Sequence, residues 1–170
     1  VPERPQGGAS WEAIAAAEPE LAALARACFD SHLHKTLATL RRDGSPRISG
    51  IELIFAEGAV WFGSMRDALK ARDLQRDPRY AVHSGSDDPP AWLGDAKLAG
   101  LATEVFEQGV LESVMKSASR EAREGDPRIG EMHLFRLDLG ELVWTGLNEA
   151  RDQLLIDSWH PDRGRRTIER

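Results

Sequence analysis

Between residues 35 and 64 the chain reads as three strand-like segments, 35–40, 47–55 and 59–64, separated only by short turns at Asp43-Gly44 and Glu57-Gly58. Turns this short join antiparallel neighbours, because a parallel pair needs a crossover of about a dozen residues or more. The pattern continues downstream. Further strands are expected at 80–84, 95–106, 132–137, 142–147 and 154–159, with Gly140 as a turn between two of them. Asp87-Asp88-Pro89-Pro90 is a loop, since a central strand does not accept proline there. Helical signals are few. Ser10 can cap a helix that starts at Trp11, and Pro19 suits the first turn of a second. In that second helix Leu21, Leu24, Ala25, Cys28 and Phe29 fall on one face. A third is expected over 67–75 with Asp67 as its cap, and a fourth over 108–123, stopped by Glu124-Gly125-Asp126-Pro127. Many short strands joined by turns define a mainly β chain with some α (α+β). The expected architecture is an antiparallel β-barrel of six to eight strands with peripheral helices, not a doubly wound parallel sheet.

Length and charge bound the function. At 170 residues the chain is one domain, read as a loose arm over 1–9, a folded unit over 10–160 and a basic tail over 161–170. There are 22 Lys and Arg against 28 Asp and Glu, a net charge of −6, which argues against a duplex nucleic-acid partner. No apolar run reaches the roughly 20 residues of a membrane span. Val1-Pro2-Glu3-Arg4-Pro5 lacks an apolar signal region, so a cytoplasmic protein with no membrane partner is expected. A single cysteine, Cys28, excludes an internal disulfide framework and a cysteine-based zinc site. Cys28 lies in an apolar helix stripe and reads as a small buried hydrophobe. His32 and His34 would share a face in a strand, as metal ligands can, but no third ligand has recognisable spacing and no metal is expected. His160 follows Trp159 near the basic tail.

The nucleotide motifs G-x-x-x-x-G-K-[ST] and G-x-G-x-x-G are missing, and so is the hydrolase elbow G-x-S-x-G. No catalytic residue stands out. The segment 62–74 carries the most chemistry. It puts Ser64 at the end of a strand and Lys70 on the helix that follows, where free backbone N–H groups and the helix dipole favour an anion. Arg47 and Ser49 share one face of the preceding strand. If that strand pairs with 59–64, Arg47 reaches the same corner, and a hydroxyl beside two cations suits a phosphate. The alternative is a solvated helix face on which Lys70, Arg72 and Arg76 are ordinary surface charges.

The order of these segments resembles the pyridoxamine 5′-phosphate oxidase-like family. It comprises a helix, Thr39-Leu40-Arg41-Arg42-Asp43-Gly44-Ser45-Pro46-Arg47, Trp61-Phe62-Gly63-Ser64, Leu69-Lys70-Ala71-Arg72-Asp73-Leu74 and Asp77-Pro78-Arg79-Tyr80-Ala81-Val82, and covers roughly residues 20–106. The resemblance implies a split β-barrel, a flavin cofactor and a homodimer. It assigns Arg47 and Lys70 to the flavin phosphate, with Ser49 and Ser64 as hydroxyl donors. Phe62 and Gly63 would run beside the ring or ribityl chain, and Asp95 and Lys97 would meet the ring from the partner subunit. Trp61, Trp92 and Trp144 are candidates either for the interface or for the core. The chain departs from the oxidase pattern where Leu69 stands before Lys70 in place of a basic residue. The implied function is an FMN-dependent oxidoreductase acting on a small molecule. The alternatives are an F420-dependent reductase in the same groove and a non-enzymatic module holding flavin or haem.

Overall fold

The computed structural model describes residues 8–118, 128 and 130–170. Residues 1–7 of the expected arm and the stop signal at 124–127 lie outside the described residues, while Ala9 forms an isolated bridge with Leu139. Four helices and nine strands follow in order: α1 Trp11–Ala17, α2 Pro19–Ser31, β1 Lys35–Leu40, β2 Pro46–Ile51, β3 Ile54–Ala56, β4 Ala59–Met65, α3 Leu69–Arg76, β5 Arg79–His83, β6 Asp95–Val105, α4 Gln108–Lys116, β7 Met132–Leu147, β8 Leu154–His160 and β9 Gly164–Glu169. All strand pairs are antiparallel, in the order β2-β1-β5-β6-β7-β4-β3, and β8 with β9 branches off β7.

The architecture is the expected split antiparallel barrel with α elements at its periphery, but with nine strands among the described residues rather than the expected six to eight, and it differs in three places. The segment read as one strand over 47–55 is broken at Glu52-Leu53 into β2, which pairs with β1, and β3, which pairs with β4. The segments 132–137 and 142–147 are one continuous strand, β7, with Gly140 inside it rather than in a turn. The first half pairs with β4, the second half with β8, and β6 lies along both. The register slips between Ala99 and Gly100. A Cβ on Gly100 would sit 2.0 Å from the Asp138 carbonyl oxygen, so only glycine permits that approach. Third, the basic segment beyond residue 160 is not loose: 164–169 forms β9.

Alternation explains the burial. On β4, Val60 and Phe62 enter a core with Leu37, Leu98, Phe135 and Leu137, capped by Leu21, Ala25 and Phe29 of α2. Trp61, from the opposite face of β4, joins Leu111, Val114 and Met115 of α4 in a second cluster, and its indole N–H donates to the Ala56 carbonyl at 2.9 Å. Trp61 and Trp144 are thus core residues, whereas Trp92 is half-buried. Among the described residues no helix is long and apolar enough to cross a membrane.

The β8–β9 hairpin is tied to the N-terminal helices by charge. Asp157 is 2% exposed. It accepts from Arg165 Nε at 3.0 Å, from Arg165 Nη2 at 2.6 Å and from Thr167 Oγ1 at 3.2 Å. Arg165 also reaches Glu20 at 3.4 Å and Glu18 at 3.7 Å. Arg165→Ala leaves a buried carboxylate without its main donor, which costs roughly 3–5 kcal/mol when both partners are fully buried. Arg165 itself keeps partial exposure, so we expect about 2–3 kcal/mol, read as a lowered urea midpoint with an unchanged m-value.

Candidate functional site

The interruption between β2 and β3 at Glu52-Leu53 lies beside the end of β4. The last residues of β2, the end of β4, the first turn of α3, Met115 and Met132 enclose a cleft of about 500 Å³. Gly63, Ser64 and Lys70, three of the residues singled out in the sequence, line it together. So do Gly50, Glu52 and His34, which sequence reasoning did not assign to a site. Gly50 stands in β2 without forming a bulge, and a Cβ there would meet nothing within 4 Å. At Gly63 a Cβ would press to 2.7 Å on the Met132 methyl, which packs over the glycine.

Two polar groups in the cleft are incompletely used. Ser64 is 4% exposed, and its Oγ is a buried side-chain oxygen with no hydrogen-bond partner. A hydroxyl held in that state costs stability unless something supplies its partner. Lys70 donates from Nζ to the Gly50 carbonyl at 2.8 Å, which uses one of three ammonium donors. Burial lowers its pKa, because the charge is partly taken out of water. The helix that carries it is not capped by a side chain. Ala68 takes the cap position, and Asp67, the expected cap, is 85% exposed and pairs with Arg72 at 3.4 Å. Ala71 N–H bonds to the Ala68 carbonyl at 3.1 Å, and no side chain caps the N–H groups of Leu69 and Lys70 at the start of α3.

The remaining expected residues lie elsewhere. Arg47 does not line the cleft. Because β2 pairs only with β1 and not with β4, Arg47 is carried along α3 to a neighbouring groove, where Nε donates to Asp73 at 2.6 Å. Ser49, opposite Leu37 in the β1–β2 ladder, does not line the cleft either. Phe62 is fully buried and stacks on Phe135 with centroids 5.2 Å apart, so only its backbone can serve a site. Asp95 and Lys97 pair with each other at 2.9 Å at the start of β6, apart from the cleft lining. His32 and His34 turn to different carboxylates, Asp87 and Glu52. Among the described residues there is no group of three or more His, Cys, Asp or Glu side chains that could hold a metal ion. His160 lies 3.7 Å from Glu141.

Behind the cleft His133, paired across the ladder with Ser64, braces the loop before α3. Its Nε2 lies 2.7 Å from the Arg66 carbonyl oxygen, and its Nδ1 lies 2.6 Å from Glu104. The Glu104 and Arg66 contacts of His133 join residues 29 and 67 positions away in the chain, so no local sequence signal reveals them.

The fold is thus an antiparallel split barrel with a cleft at a strand-to-helix corner, lined by Ser64 and Lys70 and also by Glu52 and Glu131. Residues 21–143 match the model of the pyridoxamine 5′-phosphate oxidase family, and the chain belongs to that family. No curated protein sequence matches it. Among solved structures it is similar to PhzG from Burkholderia lata in complex with tetrahydrophenazine-1-carboxylic acid, at 16% identity and a TM-score of 0.64, with 94% of this chain and 92% of that one covered. It is similar at 17% identity and a TM-score of 0.62 to a pyridoxamine 5′-phosphate oxidase-related, FMN-binding protein from Nostoc punctiforme, covering 93% and 94%. It is also similar to a haem-binding protein from Mycobacterium smegmatis, at 23% identity and a TM-score of 0.63, covering 85% of this chain. The chain spans 60% of that protein's length.

Two predictions follow from this geometry. Ser64→Ala removes an unsatisfied buried hydroxyl, so the ligand-free variant should be as stable as the parent or more stable by up to about 1 kcal/mol in chemical denaturation. At Asp73, burial works to raise the pKa, but donors from Arg47, Arg76 and Thr39 outweigh it and hold the carboxyl below its usual range. A lowered folded-state pKa contributes stability above the unfolded value, and that stability is lost as pH falls from near 4 through the folded value. Asp73→Asn should therefore be less stable than the parent at neutral pH and show a flatter stability profile below pH 4.

Proposed function

We propose that the chain is an FMN-dependent oxidoreductase acting on a small molecule. The observation that carries this reading is the buried, partnerless Ser64 hydroxyl beside the spare donors of Lys70 and the uncapped start of α3. A phosphate monoester is an acceptor with enough lone pairs and charge to satisfy all three. Lys70 would supply charge and Ser64 a hydroxyl donor. Gly50, where a Cβ would meet nothing within 4 Å, leaves open backbone surface against which a ribityl chain can lie. When bound, the flavin supplies the electron or hydride transfer, and the chain's residues bind it, orient it and exclude water. Family membership and the FMN-binding relative from Nostoc punctiforme support the cofactor class.

The cleft is open on one side. Met65 on its wall and Ile48 of β2 expose apolar surface, at 78% and 73%. We take this as the surface a second copy covers, making the working unit a homodimer in which Asp95 and Lys97 face the partner's flavin. Sedimentation at micromolar concentration should give a dimer; a monomer that still binds FMN at full strength contradicts it.

His34, on the cleft wall with a mostly exposed ring, favours a second reading as a non-enzymatic haem-holding module. Titrating FMN, F420 and haemin separately into the protein discriminates among the three ligands. FMN should bind most tightly. Lys70→Ala removes a charge-assisted contact and should weaken FMN by roughly ten- to a hundredfold. Arg79→Ala, an exposed residue paired with Asp77, should bind FMN like the parent. If Lys70→Ala also binds like the parent, the phosphate assignment is wrong.

A further inference from the structure

A second groove, of about 520 Å³, runs between α3 and the β1–β2 hairpin. Five arginines from three separate segments line it: Arg41 and Arg42 of the turn, Arg47 of β2, and Arg72 and Arg76 of α3. The whole chain has a net charge of −6, so this concentration of cations runs against its overall balance. Arg72 and Arg76 are four apart on one helix, a spacing at which like charges repel and destabilise, and each is only partly answered, Arg72 by exposed Asp67 at 3.4 Å and Arg76 by Asp73 at 3.1 Å. Such repulsion is relieved when an anion binds between them.

Part of the cluster is held in place from below. Asp73, 3% exposed, accepts from Arg47 Nε at 2.6 Å, from Arg76 Nη2 at 3.1 Å and from Thr39 Oγ1 at 3.0 Å. Arg76 also donates to the Leu40 carbonyl. These bonds fix two guanidinium planes but leave both terminal nitrogens of Arg47 without an acceptor among the described residues. Arg42 has no ion pair or hydrogen bond among the described residues. The other carboxylate of the groove, Asp43, is occupied by Ser45 at 2.7 Å.

We infer that this groove is a binding site for an oligophosphate group, gripped between the hairpin arginines and those of α3. Guanidinium forks match the paired oxygens of phosphate, and arginine is favoured over lysine where such planar recognition matters. Residues 72 and 76 stand about one helical turn apart, which suits an anion with charge at two or more centres rather than a single small ion. Leu69, exposed at the end of the groove, offers an apolar contact for the rest of an esterified ligand. The acidic remainder of the chain disfavours an extended polynucleotide, which would have to cross repulsive surface.

Calorimetric titration of inorganic pyrophosphate tests the inference, run on the parent and on Arg42→Gln/Arg72→Gln, each with and without saturating FMN. Both substituted residues are exposed, so the fold is expected to survive, and a circular-dichroism melt checks it. One-to-one binding that persists in FMN and weakens about tenfold or more in the double variant supports the site. A parallel titration of ADP, tighter than pyrophosphate and weakened alike by the variant, assigns the phosphate to a nucleotide. Equal affinities of ADP and pyrophosphate assign it to a free oligophosphate. Pyrophosphate that fails to bind, binds the variant as tightly as the parent, or is displaced by FMN overturns the inference. A single-stranded RNA that binds more tightly than pyrophosphate and is unaffected by the variant also overturns it. The arms without FMN decide the question even if the chain binds no flavin.

Discussion

The close approach of Gly100 to the Asp138 carbonyl is the constraint on which the barrel depends. β6 and β7 form the longest ladder of the sheet, and a regular ladder of that length would twist steadily and stay open. A one-residue slip at Ala99-Gly100 lets β7 bend and serve two partners in succession. Its first half receives β4, which brings β3 and the cleft, and its second half receives β8 and β9. A side chain on residue 100 would clash with peptide backbone, which cannot move aside as a flexible side chain can. The split into two arms, and with it the corner at which β4 meets α3, follows from that contact.

The corner differs from its surroundings because it breaks the rule the rest of the fold keeps. Elsewhere buried polar groups are paired: Asp157 with Arg165 and Thr167, Asp73 with two arginines and Thr39, and Ser84 with the backbone of Gly85 and Ala96. Ser64 alone, among the described residues, keeps a buried side-chain oxygen without a partner. Cores rarely tolerate that, and this exception lies at the corner where the proposed phosphate would supply the missing partner. His133 supports the same corner from behind through the Arg66 carbonyl, which fixes the loop from which α3 starts.

Much of this was legible in the chain. Period-two alternation and the turns at Gly44 and Gly58, both with positive φ, placed β1, β2 and β4. Ser64 and Lys70 were legible because strand end and helix start are local signals. Arg47 was not, because its position depends on whether residues 47–55 form one strand or two. No local signal at Glu52-Leu53 marks the break; it is set by β3 having to pair with β4 while β2 pairs with β1. Gly140 misled for a related reason: glycine signals a turn in isolation, whereas here it lies within a long strand near the slipped register. The tail misled by composition, since Arg165 is a surface charge until Asp157, eight residues earlier, is seen beneath it.

The Asp157–Arg165 contact has a consequence for the order of events during synthesis. A chain emerging from its N-terminus exposes α1, α2 and every strand through β8 before residue 165 appears. Until then Asp157 has no guanidinium to answer its charge, and Glu18 and Glu20 at the start of α2 lack their shared cation. The acidic groups repel one another across the seam where the hairpin must dock. Residue 165 thus delivers the single cation that joins the β8–β9 hairpin to the start of α2, although 145 positions of chain separate Arg165 from Glu20.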